Sequence, residues 1–345
     1  MIRNAVWLLG FASLIFAQRA DFRVGPVVAA PGKSASGMIP IAKGVDAGTE
    51  VPVTVVHGAQ PGPVLALIAG NHGYEYTPIL ALQQLKPLLN PQAIRGTVIL
   101  VHIANMPSFL GRTIYFSPVD NKNLNRVYPG NPNGTVSERI AHAITKEVIE
   151  KSDVVFDLHC GDGNESLRPY VYQSVTGNKK LDDAMAELAL AFGLEHIVLD
   201  RDRPTDPAKS LYCSTTATTR GKPALTVESG FMGLSDPKSV EAIVAGAQST
   251  MRHLKMIDGA PLRVRNPIYL DPVKVIESPA TGIFYPRVQK DQKVSEGELL
   301  AYVTDYHGNR IGDVKAPFAG IVLYIIGTPP IIKGQPAAFV GKPSR

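Results

Sequence analysis

Four short apolar runs, at residues 64–69, 97–104, 154–158 and 224–227, are separated by stretches with helical spacing. Short apolar runs bounded by turn residues suit strands buried on both faces. The helical stretches cover 78–89, 135–151, 180–192 and 238–256, with a further short strand at 197–199. Pro78 suits a first-turn position, and Thr135-Val-Ser-Glu138 reads as a capping box. Strands alternating with helices predict an α/β fold: a mixed, mainly parallel sheet flanked by helices. In such sheets ligands bind at the carboxyl ends of the strands.

Those ends carry chemistry. His72 and Glu75, in Gly70-Asn-His-Gly-Tyr-Glu75, directly follow the run 64–69. His159 follows 154–158, and Glu228, in Thr226-Val-Glu-Ser-Gly230, follows 224–227. Two imidazoles and a carboxylate form the ligand set of a hydrolytic zinc site that keeps a fourth position for water and lowers its pKa. Residues three apart on a turn entering a helix share one face, so His72 and Glu75 can reach one ion. The spacing His-x-x-Glu is common by chance. Its place in a glycine-flanked loop, where little bulk obstructs an ion, gives it weight. Glu228, followed by small residues that leave room for substrate, is the candidate base. The plainer reading of all four is ordinary polar residues at strand termini.

Residues 105–134 form a long loop rich in Asn, Pro and Gly. Loops of that length in compact domains are usually functional. It carries Arg112 and then Asn121-Lys-Asn-Leu-Asn-Arg126. Arg clamps carboxylates bidentately and Asn adds a directed bond. Arg112 has, alternatively, the chemistry to polarise a scissile carbonyl. A turn-rich surface segment is the bland alternative.

Residues 1–17 read as a signal peptide, with Arg3 ahead of a short apolar stretch and Ala17 at its end; an uncleaved anchor is the alternative. No other segment is apolar enough to span a bilayer. The formal charge of +5 is diffuse, which argues against a nucleic-acid partner. Cys160 and Cys213 are open to either a disulfide or two buried thiols.

From residue 266 onward the helical periodicity stops. A weak repeat appears: Pro279-Ala-Thr-Gly282-Ile recurs as Pro317-Phe-Ala-Gly320-Ile, and Val294-Ser-Glu-Gly297 as Ile331-Ile-Lys-Gly334. This resembles the half-motifs of a lipoyl/biotinyl-like β-sandwich. Such carriers present a modified Lys between the halves. Thr304-Asp-Tyr-His-Gly308 has none there, which implies the fold without the prosthetic group. An unrelated small β-barrel is the alternative. The expected organisation is a signal peptide at 1–17, a catalytic domain at 21–265 and a β domain at 266–345.

Gly70-Asn-His-Gly-Tyr-Glu75, Asp120-x-x-Asn-Leu-Asn-Arg126, Asp157-Leu-His159 and Val227-Glu-Ser-Gly230 occur in an order that resembles the succinylglutamate desuccinylase/aspartoacylase family, of the zinc-carboxypeptidase-like superfamily. The resemblance spans roughly residues 40–260 and extends to the C-terminal β domain. It implies one zinc ion per chain, held by His72, Glu75 and His159, with Glu228 as general base and acid. It implies that Asn125 and Arg126 bind a substrate carboxylate and that Arg112 polarises the carbonyl. Arg220 is a candidate for a second carboxylate contact. Cys160 stands where the family often has a small polar residue. The expected reaction is removal of an acyl group from an N-acyl amino acid, a small carboxylate-bearing substrate. An exported carboxypeptidase or amidase acting on peptides or cell-wall stems, and a non-catalytic binding protein on the same fold, remain open.

Overall fold

The computed structural model describes residues 19–344, and the expected signal peptide at 1–17 lies outside them. A short hairpin, β1 (Phe22–Val24) and β2 (Val27–Ala29), precedes the main strands. These are β3 (Lys33–Ile41), β4 (Thr49–His57), β5 (Gln60–Ala69), β6 (Arg95–Val101), β7 (Val154–His159), β8 (Glu165–Leu167), β9 (Tyr170–Ser174), β10 (His196–Asp200), β11 (Ala224–Glu228) and β12 (Ile268–Glu277). The main sheet runs β12-β10-β9-β11-β7-β5-β6-β4-β3. Its centre is parallel, β6 to β5 to β7 to β11, so the last three of these strands end at the same edge.

All six residues of β7 are buried, because side chains alternate between two cores. Phe156 and Leu158 face a core roofed by α1 (Tyr76–Leu85), α4 (Lys179–Phe192) and α6 (Pro237–His253), while Val155 faces one roofed by α3 (Val136–Ile144) and α5 (Cys213–Thr218). Phe156 meets Phe192 with ring centroids 5.7 Å apart. Truncating it to Ala removes roughly 3–5 kcal/mol of stability. The short α2 (Met106–Gly111) lies in the long loop. The helix expected at 78–89 ends as α-helix at Leu85. Pro87 has no N–H to continue the ladder, and a 3-10 turn, Lys86–Leu88, follows. The expected capping box is present, with the Thr135 N–H donating to Glu138 Oε2 at 2.8 Å.

The C-terminal strands are β13 (Gly282–Pro286), β14 (Lys293–Val294), β15 (Leu299–Thr304), β16 (Arg310–Lys315), β17 (Gly320–Ile326), β18 (Pro330–Ile331) and β19 (Pro336–Pro343). They form two sheets around a core that includes Phe284, Leu300, Val303, Val322 and Val340. The sequence repeat has a physical meaning here. β14 of the first half pairs with β17 of the second, and β18 of the second pairs with β13 of the first. One of the two sheets continues the main sheet, since β12 pairs with β10 on one side and β19 on the other. β8 crosses over to pair with β17, which brings residues 165–167 against the C-terminal strands. Among the described residues no helix is long and apolar enough to cross a membrane.

Candidate active site

The ends of β5, β7 and β11 converge on one cleft of about 510 Å³. His72, Glu75 and His159 are buried at its floor, with ligand atoms all within 4.8 Å of one another. Glu75 stands at the N-cap position of α1 yet caps nothing. Its two oxygens instead take the two rings, Oε1 lying 2.6 Å from His72 Nδ1 and Oε2 2.7 Å from His159 Nδ1. The flanking glycine serves a purpose other than the one expected. A Cβ on Gly73 would lie 2.2 Å from the Ser108 carbonyl oxygen, so it permits close packing of two loops and does not clear space for an ion.

The outer nitrogens of both rings are pinned by acceptors. His72 Nε2 lies 3.1 Å from Asn123 Oδ1, an atom that also accepts the Asn125 N–H at 2.8 Å and is therefore oxygen. His159 Nε2 lies 2.9 Å from Asp157 Oδ1 and 3.0 Å from Asn125 Nδ2. A carboxylate only accepts, so the tautomer that pairs with Asp157 carries its hydrogen on Nε2. In neutral rings both Nδ1 atoms then turn lone pairs towards the Glu75 oxygens. Electron-rich atoms that close repel unless a cation stands among them. The donor set therefore fits a divalent ion of the nitrogen/oxygen-binding kind.

The same carboxylate favours a proton on each ring when no ion lies among them. Burial pushes the His72 imidazole down, and Glu75 more than offsets it, so the ring is held above its usual range. His159 goes further up, against the same burial, because Asp157 and Glu75 flank it. Glu75 falls to about 2: burial opposes ionisation, but the two imidazoles override it.

Behind His159 runs a buried network. Tyr128 OH donates to Asn71 Oδ1 at 3.1 Å, and Asn71 Nδ2 donates to Asp157 Oδ1 at 2.6 Å. Asn125 Nδ2 donates to Asp157 Oδ2 at 3.1 Å, while Asn125 Oδ1 accepts the Cys213 N–H at 2.7 Å. Asn125 does line the cleft, as expected of a carboxylate ligand, but most of its amide is committed to holding Asp157. Cys160 and Cys213 are both buried free thiols, which resolves the alternative between disulfide and thiols.

Glu228 lines the same cleft, in register with His159 on β7 and with Tyr170 on β9. Burial raises its carboxyl well above the usual range. His159 opposes the shift, and Glu75, Glu165 and Asp157 reinforce it. Arg126 also lines the cleft. Its Nη1 donates to the Asn125 carbonyl at 2.7 Å, its guanidinium stacks 4.5 Å from the Tyr212 ring centroid, and among the described residues it has no ion-pair partner.

Two expected residues are not brought to the site. Arg112 caps α2 in the left-handed conformation, φ 50°, and its exposed side chain lines a shallow depression with Tyr76, Phe109 and Leu110. The chain turn sends it away from the cleft. Arg220 donates to the Thr216 carbonyl at 2.9 Å and faces Glu150. The second cation in the cleft is instead Arg203, paired with Asp200 and stacked 4.1 Å from the Tyr212 centroid. No motif announces Arg203, and its aromatic partner lies nine residues on. Asn123 and Asp157 lie inside the motifs that carry the family resemblance, which show their positions but not their roles.

The catalytic-domain model of the succinylglutamate desuccinylase/aspartoacylase family matches residues 61–254. The N-alpha-acetyl-L-2,4-diaminobutyric acid deacetylase of Halomonas elongata is 33% identical over 270 residues, covering 77% of each chain. The product-bound ectoine utilization protein of Ruegeria pomeroyi is 25% identical with a TM-score of 0.79, over 90% of this chain and 95% of its own. A succinylglutamate desuccinylase of Silicibacter sp. shares the fold at a TM-score of 0.81 and 24% identity, over 94% and 100% of the two chains.

Proposed function

The chain belongs to the succinylglutamate desuccinylase/aspartoacylase family, and from that premise we propose that it is a zinc-dependent deacylase of a small N-acyl amino acid. One observation carries the reading. The Nδ1 atoms of His72 and His159 lie 2.6 and 2.7 Å from the two Glu75 oxygens, in a cleft that also holds Glu228 and Arg126. When bound at His72, Glu75 and His159, zinc supplies Lewis acidity to the carbonyl and lowers the pKa of a water.

The chain's own residues do the rest. Arg126 holds the substrate carboxylate, and stacking on Tyr212 keeps its planar fork in place. Asp157 fixes the tautomer and orientation of His159, and Asn123 does the same for His72. Glu228 takes a proton from the attacking water on its carboxylate and hands it to the nitrogen of the leaving amine. Burial suits it to the second half of that task, because a carboxyl with a raised pKa retains a proton long enough to deliver it. Arg112 has no part, being outside the cleft.

Hydrolysis of N-acyl amino acids by the zinc-loaded protein, compared with dipeptides and cell-wall peptides, tests the reading. Faster turnover of the acyl amino acids is expected. Preference for peptides would replace it with the peptidase alternative, and binding without any turnover would favour a receptor.

A further inference from the structure

The lining of the cleft divides by chemistry. Most charged residues come from the main sheet and its loops, with Glu165 on β8. Most apolar ones, Leu167, Ile326, Pro330, Ile331 and Pro336, come from β8 and the C-terminal strands paired to it, with Val275 added from β12. Leu167, Ile326 and Ile331 belong to well-packed cores, so this wall is preformed. A substrate anchored by its carboxylate on Arg126, with its amide at the metal trio, has its side chain and its acyl group left to place, and the acyl group lies across the amide from the anchored carboxylate. An acetyl group offers one methyl to six apolar side chains.

We propose that the acyl group this cleft accepts is apolar and longer than acetyl, and that the C-terminal strands select it. The inference rests on the deacylase reading above and names the acyl half of its substrate. It also excludes acyl groups that end in a carboxylate, such as succinyl. The wall carries no basic side chain. The carboxylate beside it, Glu165, is tied to the Tyr115 hydroxyl at 2.7 Å and the Asp162 N–H at 3.1 Å, and has no cationic partner among the described residues. A second carboxylate placed there would lose its hydration and meet a like charge.

The experiment is a series on one amino acid: N-acetyl, N-butanoyl, N-hexanoyl and N-succinyl derivatives, hydrolysed by the zinc-loaded full chain. Transfer of each methylene from water to an apolar wall is worth about a fourfold gain in kcat/KM. The account expects that rise from acetyl to hexanoyl, with succinyl the poorest. Val275 is 39% exposed, so Val275→Asp is compatible with folding. It should lower hexanoyl turnover about tenfold and acetyl turnover by a clearly smaller factor. Acetyl equal to or better than hexanoyl overturns the proposal, as does a Val275→Asp effect that is the same on every chain length. Either result leaves the deacylase reading standing. No hydrolysis of any member removes both.

Discussion

The floor of the cleft and its C-terminal wall are held in different ways. On the floor each functional side chain is fixed by hydrogen bonds to the next: Tyr128 to Asn71, Asn71 to Asp157, Asp157 to His159, His159 to Glu75. The wall offers Ile326, Ile331 and their neighbours as surface, placed by the packing of two sheets. A directed network is sensitive to single atoms, whereas a packed surface is sensitive to volume and polarity. Changes on the floor should therefore cost chemistry, and changes on the wall should cost selectivity.

The sharpest way to break this contrast is Glu228→Gln. Loss of a positioned general acid and base typically costs about 10²–10⁴ in rate. Turnover of all acyl amino acids should fall by that factor, with zinc content unchanged by elemental analysis. A large loss confined to one acyl chain length would make Glu228 part of the selecting wall. Asp157→Asn comes next. It preserves shape but removes the carboxylate that orients His159, and such changes typically cost about 10–100-fold in metal affinity. Competition with a chelator measures it. An unchanged affinity would mean that the network does not set the ligand.

The smallest effect lies at the seam between the two regions. His196 begins β10, beside β12, and its Nε2 accepts from Arg168 Nη1 at 2.7 Å, while Arg168 Nη1 also pairs with Asp291 Oδ1 at 3.0 Å. Burial, with help from Arg168, lowers the imidazole from 6.5 to about 4. Because the folded pKa is depressed, the unfolded chain binds this proton more readily. The stabilisation is complete above about pH 6.5 and is lost as the pH falls through about 4. His102 behaves alike, at about 4 through burial. The urea midpoint should fall across that window, and His196→Gln, which keeps an acceptor for Arg168, should flatten the slope. An identical slope in the variant would take His196 out of the acid response.

What was legible in the sequence follows the same division. The sheet was readable because its central strands are buried on both faces and show as continuous apolar runs. The trio and Glu228 were readable because they directly follow those runs. Arg112 was misplaced because a left-handed cap, invisible in composition, decides which way it points. Asn125 was assigned to substrate because nothing local shows that the Cys213 N–H and Asp157 occupy its amide. Arg203 went unseen because its place depends on stacking with Tyr212 across an irregular loop. The wall was foreseen only as a C-terminal β domain, since which of its residues meet the cleft depends on the β8–β17 pairing.

The central claim is that His72, Glu75 and His159 together hold the ion on which hydrolysis depends. Zinc stoichiometry, measured on the purified chain and on His159→Ala after equal exposure to the metal, tests it most directly. The account predicts one zinc per chain in the first, and in the variant none, together with loss of N-acyl amino acid hydrolysis. Equal zinc content and equal hydrolysis in the two proteins would contradict it.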